Sequence, residues 1–364
     1  MSLPAPPALL RRRALLLCAA ATALPAALAL AQNGAKTARG TATAALAQVR
    51  VAVGNTTAFM FRHLPLGIAQ QLDFFTPEGV RVLLQNHASD PAALQAMQEG
   101  RADLCAIDFG QLLRAPGALA DGARCFVLQA RAPQAALGVS LRSLPDFDTL
   151  ADLEKCTVGV CALGALSHTV ARLALEQAGV APGAVSFLAV GEGEAALAAL
   201  RSGRVQALCH GDPLMAQLEH RGAVRIAADT RTLAGTQALF GGPVFGGCLV
   251  APAAMLEQRA PVVQAVTHGV VRALKWLQTA APVDMVDLLP AAARPGSQRS
   301  MALAAFARVR ETFSPDGSMA AQGPATVLRA LQWSADPAMV ARLPAPETTV
   351  LHAFAHKAKL KFSA

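Results

Sequence analysis

The residues best placed to do chemistry stand where short apolar runs give way to small or polar ones. After VGVCAL (158–163) come Gly164, Ala165, Ser167 and His168, opening a helix whose apolar face is Leu166, Val170 and Leu173. Free N–H groups at a helix start, with the helix dipole behind them, favour an anion. Ser167 adds a hydroxyl there and His168 a donor, although Ser167 reads equally as a plain helix cap. Glu192 lies in a Gly-Glu-Gly turn after VSFLAV (185–190) and suits a cationic group. The anion site and Glu192 together describe a zwitterion; Glu194 instead complements the dipole of its own helix. Asp108 and His210-Gly211-Asp212 end two corresponding apolar runs. Asp212, before Pro213, is as good a turn former as a ligand contact. Ser89 before Asp90-Pro91 is an N-cap pattern, with a ligand-facing hydroxyl as its second reading. Thr56, Thr57, Phe59, Phe61 and Arg62 follow the first apolar strand and offer hydroxyls, rings and a guanidinium.

Other chemistries fit less well. Gly191, Gly193 and Ala196 satisfy the spacing of a dinucleotide fingerprint between a strand and a helix. Two Glu in that turn would repel a pyrophosphate, and a repeat explains the glycines as backbone requirements. No Cys-x-x-Cys pair occurs and no Cys/His spacing suits zinc, so no metal and no cofactor are expected. His352 and His356 are four apart, lack a third ligand and read as a solvated helix face. Cys105, Cys125, Cys156, Cys161, Cys209 and Cys248 read as free thiols packed as small hydrophobes. Lys and Arg are scattered without interleaved aromatics and Tyr is absent, which argues against a nucleic-acid surface and a stacking pocket.

The candidate groups are positioned by a unit that the chain contains twice. Residues 92–108 read AALQAMQEGRADLCAID and residues 195–212 read AALAALRSGRVQALCHGD. Each copy follows a β-prone run, VRVLL (80–84) or VSFLAV (185–190), and a polar turn. Each has helical apolar spacing, Leu94/Met97 or Leu197/Leu200, and closes on a glycine, Gly100 or Gly203, where a left-handed residue is cheap. A buried strand follows. Such a unit builds parallel strands, and ligands gather outside their carboxyl ends. Two copies predict an α/β protein of two Rossmann-like lobes facing each other across a cleft.

Composition agrees. With 364 residues and 53% apolar content a sizeable core is assured, and 15% charged residues make the positive mean hydropathy a matter of Ala-rich helices. Arg11-Arg12-Arg13, the apolar run 14–30 broken by Pro25, and Ala29-Leu30-Ala31 form a basic region, an apolar region and an A-x-A site. Residues 1–31 are therefore expected to be a signal peptide and the mature protein periplasmic, exported by the Sec or twin-arginine route. An uncleaved anchor is the alternative, though the run is short for a span. The remaining positive excess fits an anionic ligand. VRVAV (49–53) is the first strand, 125–139 the outgoing crossover and 244–250 the return. The first lobe is expected at 47–138 plus 247–364 and the second at 139–246. Helices after Pro261, with a stripe of Val263, Val266, Val270 and Leu277, complete the first lobe.

The stretch LPLGIAQQLDFFTPEGVRVLLQ (64–85) places Pro65, Ala69, Phe75, Gly79 and Val82 in a helix, turn and strand. It resembles the opening signature of extracytoplasmic solute-binding proteins of the nitrate, sulfonate, taurine and thiamine-precursor group. Asp73 stands where that group has its first Gly, a departure in a turn rather than in the pocket. Residues 153–179, Asp212-Pro213, Asp229-Thr230-Arg231-Thr232 and Phe240-Gly241-Gly242 are similar to later motifs of the same group, in order. The resemblance implies a type II periplasmic binding protein, two lobes joined by two hinge crossovers. It implies capture of a small organic anion or zwitterion, the turn at 164–168 gripping the anionic group, by a monomer without catalysis. It further implies delivery to the permease and ATPase subunits of an ABC importer. The same fold also binds a thiamine pyrimidine precursor and hosts a pyrimidine synthase and a cysteine-dependent desulfinase. The synthase's Cys-rich iron motif is absent here, and Asn55-Thr56-Thr57 occupy the loop where the desulfinase needs its Cys. A protein that binds a ligand and reports to a sensor kinase would carry the same sequence features.

Overall fold

The computed structural model describes residues 45–54, 61–115, 117–118, 121–191, 193–288, 299–334, 338 and 341–364. Their strands are β1 (Ala47–Gly54), β2 (Val80–His87), β3 (Leu104–Asp108), β4 (Arg124–Leu128), β5 (Ala135–Ser140), β6 (Thr157–Val160), β7 (Ser186–Ala189), β8 (Ala207–Gly211), β9 (Val224–Asp229) and β10 (Gly247–Ala251). They form two five-stranded sheets, ordered β2-β1-β3-β10-β4 and β7-β6-β8-β5-β9. In each, the first three strands are parallel and the fourth runs antiparallel to both its neighbours. The two sheets are thus copies of one pattern, and the duplicated unit supplies β2, a helix and β3 in one, β7, a helix and β8 in the other. Continuous apolar runs such as Leu104-Cys105-Ala106-Ile107 are covered on both faces, as parallel sheets require.

The local signals act as their chemistry dictates. Ser89 caps the helix Asp90–Gln98, its hydroxyl accepting from the Ala92 N–H at 3.3 Å, with Pro91 in the first turn. Gly100 and Gly203 follow the two repeat helices with φ of 70° and 74°, the left-handed region in which a side chain is strained. Asp73 takes φ 52°, so the residue that replaces a family Gly keeps the glycine-like turn. The helix Ala260–Thr279 buries Val263, Val266, Val270 and Leu277 as one stripe. With Phe306, Val309, Phe313 and Ala358 it packs under the first sheet, against Val49, Val51 and Leu104. A second cluster joins the sheets: Cys105 and Ile107 from one, Val158 and Cys209 from the other, bridged by Phe109, Phe240 and Phe245. Phe109 and Phe245 meet edge to face at 5.1 Å.

The chain leaves the first sheet after Leu128 and enters the second at Ala135; it returns between Asp229 and Gly247. A division at 138/139 would fall inside β5, which pairs with β8 and β9. The signal lies in the hydrogen bonding of β5 rather than in composition, because apolar residues fill the crossover on both sides. Gly203→Ala tests the repeat's backbone requirement. No atom lies within 4 Å of the added Cβ, so the expected loss of about 1 kcal/mol comes from the left-handed φ alone. A shift in the urea midpoint reads it.

Candidate ligand site

The first half of the site lies at the carboxyl ends of β1 and β3. Asp108 and Asp90 are almost wholly buried, and both turn toward the buried guanidinium of Arg62. Arg62 Nη1 donates to Asp108 Oδ2 at 2.6 Å and Nη2 to Asp90 Oδ1 at 3.3 Å. Asp90 Oδ2 accepts the Asp108 N–H at 3.0 Å, fixing the start of the helix Phe109–Leu113. A side chain at Gly54 would place its Cβ 2.1 Å from Asp90 Oδ1, so the end of β1 must be glycine for the carboxylate to fit. Behind Arg62, its Nε donates to His63 Nε2, and Gln129 joins His63 Nδ1 to the Leu66 N–H. Burial, seconded by Arg62, holds His63 well below its ordinary range, so the ring is neutral. Burial raises the Asp108 carboxyl to about 7; Asp90 adds to this and Arg62 opposes it. Asp108 Oδ1 has no partner among the described residues.

The second half is the turn after β6. The helix Leu166–Gln177 has Ala165 at its N-cap, so Ser167 does not cap it; its hydroxyl accepts the Cys161 N–H at 3.2 Å and draws the turn together. His168 Nδ1 accepts the Gly164 N–H at 2.9 Å. Burial, then Arg172 and Arg114, lower His168 to about 4, and it is neutral with its proton on Nε2. Across the cleft, Gln111 Nε2 donates to the Gly164 carbonyl at 2.8 Å, Arg114 Nη1 donates to the same oxygen, and Arg114 Nη2 to Thr169 Oγ1 at 3.3 Å. A narrow space remains between the halves, with room for about one water molecule, lined by Asp108, Gln111, Arg114, Leu166, Thr169 and Phe240. The strand ends of the two sheets therefore face each other and touch.

Beside the cleft lies an ionic cluster that sequence reasoning did not assign. Arg231, wholly buried, pairs with Asp212 at 3.1 Å, Asp229 at 2.6 Å and Glu219 at 3.2 Å. Glu219 also accepts from Arg308, on the C-terminal helix Arg299–Val309 that packs under the first sheet. Burial works against the Arg231 charge, yet the carboxylates raise its pKa above the usual guanidinium value. Asp212 Oδ1 caps the following helix through the Ala216 N–H. Asp212 therefore serves the turn and the ion cluster. Arg231 sits in the Asp-Thr-Arg-Thr motif, where the charged residues within an otherwise apolar return were its only sequence signal.

Of the remaining candidates, Thr56, Thr57, Phe59 and Glu192 lie outside the described residues. Phe61 is in the first-lobe core, 6.3 Å from Phe306. His210 is buried at the end of β8 with Nδ1 3.1 Å from the Gly211 carbonyl. Glu194 is exposed and faces Arg201. Sequence reasoning missed Asp90, Gln111, Arg114 and Gln129 as cleft or support residues. Gln111 and Arg114 are three apart on one helix face after Asp108, a spacing that was available. Among the described residues no group of His, Cys, Asp and Glu is arranged to hold a metal, and the six Cys are unpaired.

The profile of the NMT1-like family matches residues 42–286, two thirds of the chain. The chain belongs to the NMT1-like family. A solved protein from Bordetella bronchiseptica RB50 is similar to it at 35% identity, with 87% of this chain and 98% of that one covered and a TM-score of 0.79. The alkanesulfonate-binding protein SsuA of Xanthomonas axonopodis pv. citri, solved bound to MOPS, shares the fold at 22% identity, 85% and 97% coverage and a TM-score of 0.60. The periplasmic nitrate-binding protein NrtA of Synechocystis PCC 6803 does so at 13%, 87% and 89% coverage and 0.65. No curated protein matches the chain. The fold is accordingly that of the periplasmic binding proteins, as the resemblance implied.

Two outcomes follow from the buried charges. Arg231→Met leaves Asp212 buried without its cation and should destabilise the chain by about 3 kcal/mol in urea unfolding; an unchanged midpoint would remove the cluster's structural role. Asp108 keeps its proton to about pH 7 when folded, whereas an unfolded carboxyl loses it near 3.8. Folding thus takes up a proton in that window, and stability should fall as pH rises from about 4 to 7. Urea midpoints of the wild type should show that slope and those of Asp108→Asn should lack it.

Proposed function

We propose that this chain is an extracytoplasmic solute-binding protein that captures a small organic anion or zwitterion between its lobes and delivers it to an ABC importer. The observation that carries the reading is the opposition of two equivalent strand-end sets, with Gln111 and Arg114 of one half reaching the Gly164 carbonyl of the other. A solute that touches both halves favours the closed arrangement by its differential affinity, and the two crossovers act as the hinge. The closed form is then what the permease and ATPase subunits recognise. The apolar leader at 1–31 supports a periplasmic location, and among the described residues no helix is long and apolar enough to cross a membrane. SsuA and NrtA, binding proteins of the same fold, lend the ligand class.

In this reading Arg62, Asp108 and His210 frame the ligand, and Thr56 and Thr57 are its proposed contacts from the first loop. Gly164, Ser167 and His168 form the anion turn, and Glu192 offers the cation's partner. The free N–H groups at the start of Leu166–Gln177 remain for an acceptor, since the Gly164 N–H is taken by His168. The protein works as a monomer and catalyses no reaction. A thermal-shift screen of small anions and zwitterions on the mature protein tests this. A true ligand at a hundredfold excess over Kd adds about 2.7 kcal/mol of stability. Ser167→Ala and Glu192→Gln should each reduce the response. An equal response in both variants would remove the site, and no response to any solute would remove the reading.

A further inference from the structure

The helices that follow β10 do not all pack under the first sheet. Ala260–Thr279 and Arg299–Val309 bury their apolar faces there, whereas Gly323–Ser334 belongs to the cluster that joins the two sheets. It lies against Phe109–Leu113 of the first half and against Leu166–Gln177 and Leu233–Phe240 of the second. Val327, Ala330 and Leu331 are buried and, at spacings of three and four, share one helix face. That face lines the space between the halves together with Leu166 and Phe240. Across it, a Cβ added at Gly110 would lie 3.7 Å from Val327 and 3.9 Å from Leu331. The start of the helix is seated on the return crossover: a Cβ at Gly323 would fall 2.0 Å from the Phe245 ring, so only glycine fits.

The stretch leading into this helix is tied to both halves as well. The Thr312 carbonyl accepts the Arg131 N–H at 2.7 Å, and its hydroxyl accepts from Gln134 Nε2 at 2.8 Å. Ser314 N–H donates to the Gln129 carbonyl at 2.9 Å. These three partners lie in or beside the outgoing crossover. Farther over, Glu311 accepts the Leu233 N–H at 2.8 Å, and Arg308 pairs with Glu219 of the second half. Rotation about the two crossovers alone would pull these bonds apart and bring Val327 and Leu331 into water, which apolar side chains resist.

We propose that residues 308–334 form a strap, a third connection between the halves that favours their closed arrangement through the chain's own contacts. The cleft opens only when the face of Val327, Ala330 and Leu331 slips off Leu166–Gln177. A solute then adds to a closure the protein already favours, rather than creating it. The strap goes beyond the solute-binding reading and does not depend on which solute is bound.

The test uses the mature protein, refolded from urea to strip any bound solute, and follows hydrogen exchange by peptide together with small-angle scattering. Leu331→Ala trims the apolar face. Arg308→Met combined with Glu311→Ala cuts the polar ties at the surface. In each variant the amides of 109–113 and 164–169, which face each other across the cleft, should exchange about tenfold faster than in the wild type. The radius of gyration should rise with them, while amides of β1 and β8 keep their wild-type rates. General destabilisation would quicken the strands too, so this pattern separates opening from unfolding. Should Leu331→Ala not fold, the double variant decides by the same two readouts. Exchange that quickens only within 323–334, or equally in all strands, or a radius that does not change, overturns the strap and leaves the solute-binding reading standing.

Discussion

A guanidinium with no exposed surface sits where the two halves of this protein are joined, and it tolerates that position only because carboxylates reach it from several elements. Asp212 comes from the end of β8, Asp229 from the end of β9 and Glu219 from the intervening helix. Removing a charge from water is costly, so each of these elements is held to the place where it can compensate Arg231. The second sheet's exit is thereby fixed in position. Arg308 extends the same cluster to the C-terminal helices beneath the first sheet. Glu311 repeats the link, its carboxylate accepting the Leu233 N–H and its carbonyl accepting from Arg131. The hinge is thus polar and specific, with directional bonds, whereas the lobes' interiors are apolar and non-directional.

The cleft is built on a different balance. Two carboxylates share Arg62 in nearly complete burial, and the outcome is one fully engaged Asp90 and an Asp108 with an oxygen to spare. The opposite wall is quiet by comparison. Ser167 Oγ and His168 Nδ1 accept from the turn's own backbone, which shapes the start of the helix. One wall therefore carries charge and the other carries a dipole.

Much of this was legible before any coordinates. The duplicated unit made the two similar lobes and their facing strand ends a direct consequence of strand-turn-helix physics, and the stripe of Val263, Val266, Val270 and Leu277 marked its buried face. Gly100 and Gly203 announced their left-handed turns. What escaped was chiefly long-range polar pairing. Arg62 to Asp108 spans 46 positions and Arg308 to Glu219 spans 89, and nothing in spacing or periodicity connects such residues. Ser167 illustrates a subtler limit. Its position two residues into the helix rather than at its head changes its bond from a cap to a tether, and single-residue shifts of this kind lie within the ordinary uncertainty of helix ends. The exit from the first sheet was misplaced for a related reason, since an antiparallel strand with apolar residues on both sides reads alike in either lobe.

The fourth strand of the first sheet is β10, inserted between β3 and β4 although it is made more than a hundred residues after them. Until those residues exist, β3 and β4 lack the strand that pairs with both of them. A nascent chain that has produced the whole first run of strands is consequently unable to complete either its sheet or the core beneath it. Completion of the first sheet therefore waits for the whole of the second, whose strands β5 to β9 precede β10 in the chain.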